Sequence, residues 1–310
     1  MNLVGMVHLL AALLLCPLLL GVINRTKAFF AGRSGQPLLQ LYFDLHKLLQ
    51  KGTVYSTTAS WVVKAGPMVG LACAATALML VPFAGMAALL GFQGDLLLFA
   101  YLLGLMRFFT VIAALDTGSS FEGMGASREV TFSMLAEPAL LLGLAAMARF
   151  VSAGASTAAL SLSGIYGPLS THMLVSLGGP AMLLVAAALG IVFLAENSRI
   201  PVDDPNTHLE LTMIHEVMVL DHGGVDLAFI QYGAALKLWL LGSLLVGIVL
   251  PVRSGLAVLD LAAGIGGMFI LAVLVGVIES TMARLRLLRV PQLLVAATVL
   301  SVLAMILVTR

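Results

Sequence analysis

The sequence predicts an all-α membrane protein of about eight transmembrane helices, and three observations carry that expectation. First, 61% of the 310 residues are hydrophobic and only 10% are charged, with a mean hydropathy of +1.09. A soluble domain of this length needs far more charge to cover its surface, so the bilayer is the natural solvent. Second, apolar stretches of about 20 residues, the length that crosses a hydrocarbon core, recur along the whole chain. Third, the sparse positive charges collect on alternate connections between those stretches.

The stretches lie near 3–23, 62–84, 94–115, 130–150, 172–195, 227–250, 258–280 and 291–309. No positive charge precedes the apolar run 9–20, whereas Arg25 and Lys27 follow it, so a retained first helix is expected rather than a cleaved signal peptide. The first connection, 24–61, carries Arg25, Lys27, Arg33, Lys47 and Lys51, and later connections on the same side carry Arg128, Arg199, Arg284, Arg286 and Arg289. The opposite connections offer Arg149, Arg253 and Arg310. The positive-inside rule then places both termini outside and the long polar connections in the cytoplasm. Lys64, Pro67 and Pro82 blur the ends of the stretch at 62–84. With no internal repeat or flexible linker, residues 1–310 are expected to form a single membrane domain.

Composition also excludes some chemistry. The formal net charge of +1 points to neither nucleic acid nor a uniformly charged partner. Cys16 and Cys73 lie inside apolar runs, and two isolated thiols cannot hold an iron–sulfur cluster or a structural zinc ion. Any redox cofactor is therefore expected on another chain. Phosphate loops, nucleophile elbows and dinucleotide fingerprints are also missing from the sequence.

Two connections look structured. In 36–51, Pro37 suits a first helical turn, and Gln40, Asp44, Lys47 and Lys51 make one polar stripe beside Leu38, Leu41, Tyr42, Leu45, Leu48 and Leu49. This reads as an amphipathic helix in the interface, either sealing that face or shaping a ligand entrance. In 196–226, Asp204-Pro205 resembles a helix start and Gly223-Gly224 a stop, which predicts a helix near 205–221 too short to span.

Ionisable residues inside spans are costly and point to function. Arg107, Glu137, Lys237 and Glu279 are the candidates. Counted from its expected helix start, Glu137 lies about 12 Å deep, with Arg107 and Lys237 at similar depth on other helices. These three charges are expected to meet in the bundle interior. Pro138 frees a carbonyl one turn before it, as where polar groups line a cavity. Two readings stand: a hydrated proton path entered from the cytoplasm, or ion pairs that hold helices together.

Segment 196–226 is strongly acidic, with Glu196, Asp203, Asp204, Glu210, Glu216, Asp221 and Asp226, and holds His208, His215 and His222 at intervals of seven. On a continuous helix successive imidazoles would stand about 10 Å apart, too far for one metal ion to bridge. His215-Glu216 also lacks the second histidine of a zinc protease motif. Proton exchange between histidine and carboxylate near neutral pH, or packing against a partner, remain as readings.

AENSRIPVDDPNTHLEL, Ala195 to Leu211, resembles the signature of the quinone-site membrane subunit of respiratory complex I, a family of eight-helix proteins, with Glu196, Arg199, Pro201, Asp203 and Glu210 matching. Asn206 and His208 stand where that family commonly has glutamates. GASREVTFSMLAEP matches at Gly125, Ala126, Arg128 and Glu137, and GRSGQPLLQLYFDLHKLLQK at Gly32, Arg33, Gly35, Pro37, Gln40, Asp44 and Lys47. LDTGSSFEGMGASRE, Leu115 to Glu129, and ESTMARLRL, Glu279 to Leu287, are similar to the group 4 nickel–iron hydrogenases of formate hydrogenlyase type. HEVMVLDHGG, His215 to Gly224, matches neither pattern.

The resemblance implies a non-catalytic membrane subunit in a prokaryotic cell (inner) membrane, linking redox chemistry to proton or sodium movement. The nickel–iron and iron–sulfur clusters are then expected on hydrogenase large-subunit-like and iron–sulfur small-subunit-like partners, with antiporter-like membrane subunits alongside. It makes Glu137, Lys237, Arg107, Glu129, Glu196, Glu210, Asp203 and Glu279 candidates for an ion path. Arg33, Gln40, Asp44, Lys47, Arg128, Arg199, His208 and His215 become candidates for a partner interface or a quinone-like cavity. A quinone-binding subunit of an NADH or ferredoxin dehydrogenase and a free-standing secondary transporter are the alternatives.

Overall fold

The structure is a computed structural model that describes residues 3–152, 160–176, 178–203 and 213–309. Its elements are α1 (Leu3–Phe30), α2 (Gln40–Leu49), α3 (Trp61–Leu80), α4 (Asp95–Asp116) and α5 (Ser120–Val151). They continue with α6 (Leu162–Tyr166), α7 (Thr171–Val175), α8 (Gly179–Glu196), α9 (Gly224–Val249), α10 (Ala257–Thr281) and α11 (Val290–Thr309). Among the described residues, eight helices are long and apolar enough to cross a membrane, in the order the hydropathy pattern predicts.

Helix α9 is the most enclosed span, with Trp239, Leu236 and Leu240 fully buried, and α3, α1, α2, α8 and α10 pack around it. Helices α5, α8 and α11 form a second group beside it. Polar backbone groups are satisfied inside the bundle, as lipid requires. Pro17 has no N–H to give the Leu13 carbonyl one turn back, and the Tyr232 hydroxyl of α9 donates to that oxygen at 2.8 Å. The Tyr42 hydroxyl donates to the neighbouring Leu14 carbonyl, which ties α2 to α1.

The connections 31–60, 117–119 and 282–289 meet residues 197–203 and 213–223 on one face, the loop face. Tyr55 donates to Asp226 at 2.7 Å, Ser60 to Asp116 at 2.8 Å, and the Leu285 amide to the Pro201 carbonyl at 2.9 Å. Gly224 at the start of α9 has φ +54°, and a Cβ there would lie 2.6 Å from the Gly52 carbonyl oxygen. Glycine is needed there both for backbone angle and for space.

Several expected boundaries shift. Helix α1 runs on to Phe30, because nothing in 24–30 breaks it and the last turn can leave the bilayer with its charges. Helix α5 begins at Ser120, ten residues before the apolar stretch it contains, because the break is made by Gly118 at φ +72° and extended Ser119. Glu137 therefore lies about 25 Å from its helix start rather than about 12 Å. Helix α3 stops at Leu80, before Pro82, and the stretch at 172–195 divides into α7 and α8. Pro37 precedes α2, with its carbonyl accepting from the Gln40 amide, rather than occupying the first turn.

The helix expected near 205–221 is the larger correction. Its Asp204-Pro205 start, with Asn206, His208 and Glu210, lies outside the described residues. Over 213–221 a short 3-10 turn, Glu216–Val219, replaces a continuous helix. The local cause is visible: the Ile214 and His215 amides donate to the Asp203 carboxylate at 3.3 and 3.2 Å instead of to helical carbonyls. The turn then packs on α5, where Gly125 lets it approach. A Cβ on Gly125 would stand 2.3 Å from a Val217 methyl and 2.9 Å from the Ile214 carbonyl oxygen. Gly125→Val is expected to cost about 1–3 kcal/mol by overpacking and to open 213–221 to protease. Unchanged melting and proteolysis of the purified protein would contradict this docking.

Candidate functional site

The site is assembled around Arg107 on α4. Its Nε lies 3.2 Å from Glu129 Oε1 on α5, its Nη2 lies 2.6 Å from Glu196 Oε1 at the end of α8, and its Nη1 pairs with Glu137. Lys237 of α9 approaches Glu196 Oε2 at 2.7 Å. Four helices thus deliver five charges to one place. The planar fork of arginine suits this job, since each nitrogen edge faces a different carboxylate. The grouping of Arg107, Glu137 and Lys237 expected from their depth is present, although Glu196 mediates the link between Lys237 and Arg107. Glu137 departs from the interior position expected for it: its side chain is 49% exposed at the outer edge of the cluster. Met134, Pro138 and Leu141 share that outward side of α5, so Arg107 holds the carboxylate from behind.

The cluster continues to the loop face through His215. The imidazole Nε2 lies 3.0 Å from Glu129 Oε2, and Nδ1 lies 3.5 Å from Asp203 Oδ2. Asp203 Oδ1 in turn receives Arg284 Nη2 at 2.8 Å. Burial alone would lower the His215 pKa, but Glu129 and Asp203 outweigh it and push it up to about 9. Burial alone would also raise the Asp203 carboxyl, and His215 and Arg284 hold it below its ordinary range. A small cavity of about 10 Å³ lies between these groups, lined by Glu129, Glu196, Ser133 and His215 together with apolar walls. The imidazole is thus held between the Glu129 and Asp203 carboxylates at ion-pair spacing.

A second, separate group forms where α1 meets α10. Glu279, whose side chain is fully buried, faces Lys27 at 2.8 Å and Arg199 at 3.4 Å. Arg128 donates to the Met213 carbonyl at 2.9 Å and so pins the start of the docked turn. Gln40 donates to Asp44 at 2.9 Å along α2, and Arg33 and Lys47 are exposed; none of these four joins the charge cluster. His208 and Glu210 lie outside the described residues. His222 is buried beside Asp226 and Asp221; burial lowers its pKa and the two carboxylates oppose that shift. It stands apart from His215.

Sequence reasoning underrated two residues. Arg284 reads as one more loop-face positive charge, and only the fold brings it to Asp203. Glu122 is not singled out in the sequence, yet it is fully buried, taking the Asp221 amide at 3.0 Å and the Thr117 hydroxyl. The motifs that contain them do not reveal these contacts, because Asp203 lies 81 residues from Arg284 and Asp221 lies 99 residues from Glu122.

Replacing Arg107 by Gln would leave three carboxylates with Lys237 on Glu196 and His215 on Glu129 as their remaining direct cations, and Glu137 without one. The expected cost is about 3–5 kcal/mol, the scale for an unpaired buried charge. Arg107→Lys should fall between, because one ammonium cannot reach all three. Melting in detergent and the yield of folded protein from membranes would measure this order. Equal stability of all three forms would mean that the cluster does not carry the packing.

A family model described as NADH dehydrogenase matches residues 3–310. Hydrogenase-4 component C of Escherichia coli (strain K12) is 31% identical over 283 residues, which cover 88% of this chain and 84% of that protein. Formate hydrogenlyase subunit 4 of the same organism is 29% identical over 288 residues, covering 91% and 90%. Among solved structures, a chain of the membrane-bound sulfane sulfur reductase, an archaeal respiratory membrane complex, superposes with a TM-score of 0.77. That match covers 99% of this chain and 98% of the other, and at 20% identity it speaks for the fold alone.

Proposed function

We propose a function from the premise that this chain belongs to the NADH dehydrogenase family, the membrane subunits of complex I subunit 1 type. It serves as an integral membrane subunit of a hydrogenase-like oxidoreductase complex. It does no redox chemistry itself. It anchors a soluble, cluster-bearing module on the loop face and couples electron transfer there to translocation of protons, or of sodium. The nickel–iron and iron–sulfur clusters belong to hydrogenase large-subunit-like and small-subunit-like partners, and antiporter-like subunits continue the ion path. The membrane is a prokaryotic cell membrane, with both termini outside and the loop face in the cytoplasm.

The observation that carries this reading is the continuity of charge from Arg284 and Asp203 at the loop face, through His215 and Glu129, to Arg107, Glu196, Lys237 and Glu137. A set of ion pairs that only held helices together would not need a half-exposed carboxylate at its far end. In the bilayer such a group demands a polar neighbour, and a companion membrane subunit is the natural source.

Purification of the intact complex tests this directly. A large subunit with two CxxC pairs should co-purify, and Glu137→Gln should lower ion translocation per turnover by about tenfold or more, the scale on which a lost proton carrier registers. Unchanged translocation would remove Glu137 from the path. Function of the isolated chain without a cluster-bearing partner would overturn the assignment.

A further inference from the structure

Among the described residues, the membrane part of the charge cluster does not balance by itself. Arg107 and Lys237 supply two positive charges against the three carboxylates of Glu129, Glu137 and Glu196. Asp203 and Arg284 cancel each other. A net charge held at low dielectric is costly, so one more positive charge is called for. His215 is the group in place to provide it. A neutral imidazole has one N–H and one lone pair, and here both ring nitrogens face carboxylate oxygens, at 3.0 and 3.5 Å. A lone pair turned toward a carboxylate is repelled, whereas an imidazolium presents a donor to each. Among the described residues, the ion pairs of His215 are with carboxylates. Glu129 comes from α5, Glu196 from α8 across the cavity, and Asp203 from the segment after α8. Arg107, Lys237 and Arg284 stand behind those carboxylates.

We propose that His215 is an exchangeable counter-charge for the cluster: as an imidazolium it balances the third carboxylate, and it passes protons between Asp203 at the loop face and Glu129 in the membrane. In the inward step the Nε2–H bond breaks and an O–H bond forms on Glu129. The neutral imidazole keeps its Nδ1–H; a turn of the ring presents the bare nitrogen to Asp203, where it takes a proton delivered from the loop face, so the imidazolium is restored and one proton has moved inward. The cavity bordered by His215, Glu129, Ser133 and Glu196 has polar groups enough to hold a water that would extend the transfer to Glu196. This assignment rests on the ion-coupling reading above, but its electrostatic half stands independently.

The raised pKa of His215 fixes the sign of its pH dependence. A group raised from 6.5 to about 9 by folding contributes stability that is complete below about pH 6.5 and is lost as pH rises through about 9. The test compares the intact complex with His215→Gln and His215→Lys forms, reading melting temperature against pH and ion translocation per turnover in sealed vesicles. The wild type should lose at least about 4 °C more than His215→Gln between pH 7.5 and 10, since only it carries a charge to discharge. His215→Lys should keep wild-type melting at pH 7.5, yet translocate about tenfold or more below wild type, because it balances charge without releasing a proton near neutrality. Full coupling in His215→Lys would overturn the exchange role, and equal alkaline melting losses in wild type and His215→Gln would overturn the counter-charge role. If His215→Gln does not assemble, His215→Lys serves as the reference for the alkaline melting loss, with the same criterion. Should wild-type vesicles translocate nothing, the coupling function itself fails, while the melting comparison still decides the counter-charge.

Discussion

A guanidinium in the apolar part of a helix must be surrounded by acceptors, and the way Arg107 meets that demand organises the loop-face half of the molecule. One acceptor would not suffice, because the guanidinium has three separate nitrogen edges and little water to complete its shell. Glu129, Glu137 and Glu196 supply them from two further helices. Each carboxylate brought in then needs its own second partner. Glu196 takes Lys237, Glu129 takes His215, and His215 draws in Asp203 with Arg284 behind it. The network spreads because each solution to one buried charge poses the next, until it reaches solvent at Arg284 and the bundle edge at Glu137.

The stretch Gly125–Glu129 has a physical meaning in this frame. Gly125 removes the side chain that would block the 213–221 turn, Arg128 holds the Met213 carbonyl, and Glu129 holds His215. Ala126 and Glu122 are buried under the same segment. What looks in sequence like a motif for a ligand is at least as much a seat for the protein's own chain. The seat matters because the turn carries the histidine that closes the charge account of the cluster. Packing and electrostatics are therefore coupled at one place: a bulky residue at position 125 would move His215 away from Glu129.

The remainder of the molecule packs around this cluster. Fully buried Trp239 lies two residues beyond Lys237 on α9, and the Tyr232 hydroxyl satisfies the carbonyl that Pro17 leaves free on α1. On the opposite side of the bundle Asp95 is buried at the start of α4, taking the Ser161 hydroxyl at 2.8 Å and the Leu162 amide at 2.7 Å. These contacts satisfy polar groups completely and locally, so they fix helix positions without extending a network. The contrast is with Arg107, whose partners lead outward into an extended network.

The sequence alone determined the membrane class, the number and order of spans, and which spans carry a charge, because hydrophobic length and charge count are local properties that the bilayer reads directly. It also singled out Arg107, Glu137 and Lys237 as a group, since depth along a helix follows from residue number. The tertiary structure decided the rest. The start of α5 at Ser120 depends on a glycine conformation rather than on hydropathy. The 213–221 segment leaves the helix that its apolar residues suggest, because the Asp203 carboxylate and the surface around Gly125 offer its backbone better partners. The role of His215 could not be read from its spacing to His208 and His222, because it is set by Glu129 and Asp203, which are distant in sequence or placed by a turn. Charge pairing at low dielectric acts over a few ångströms of space, and only the folded chain determines which residues come that close.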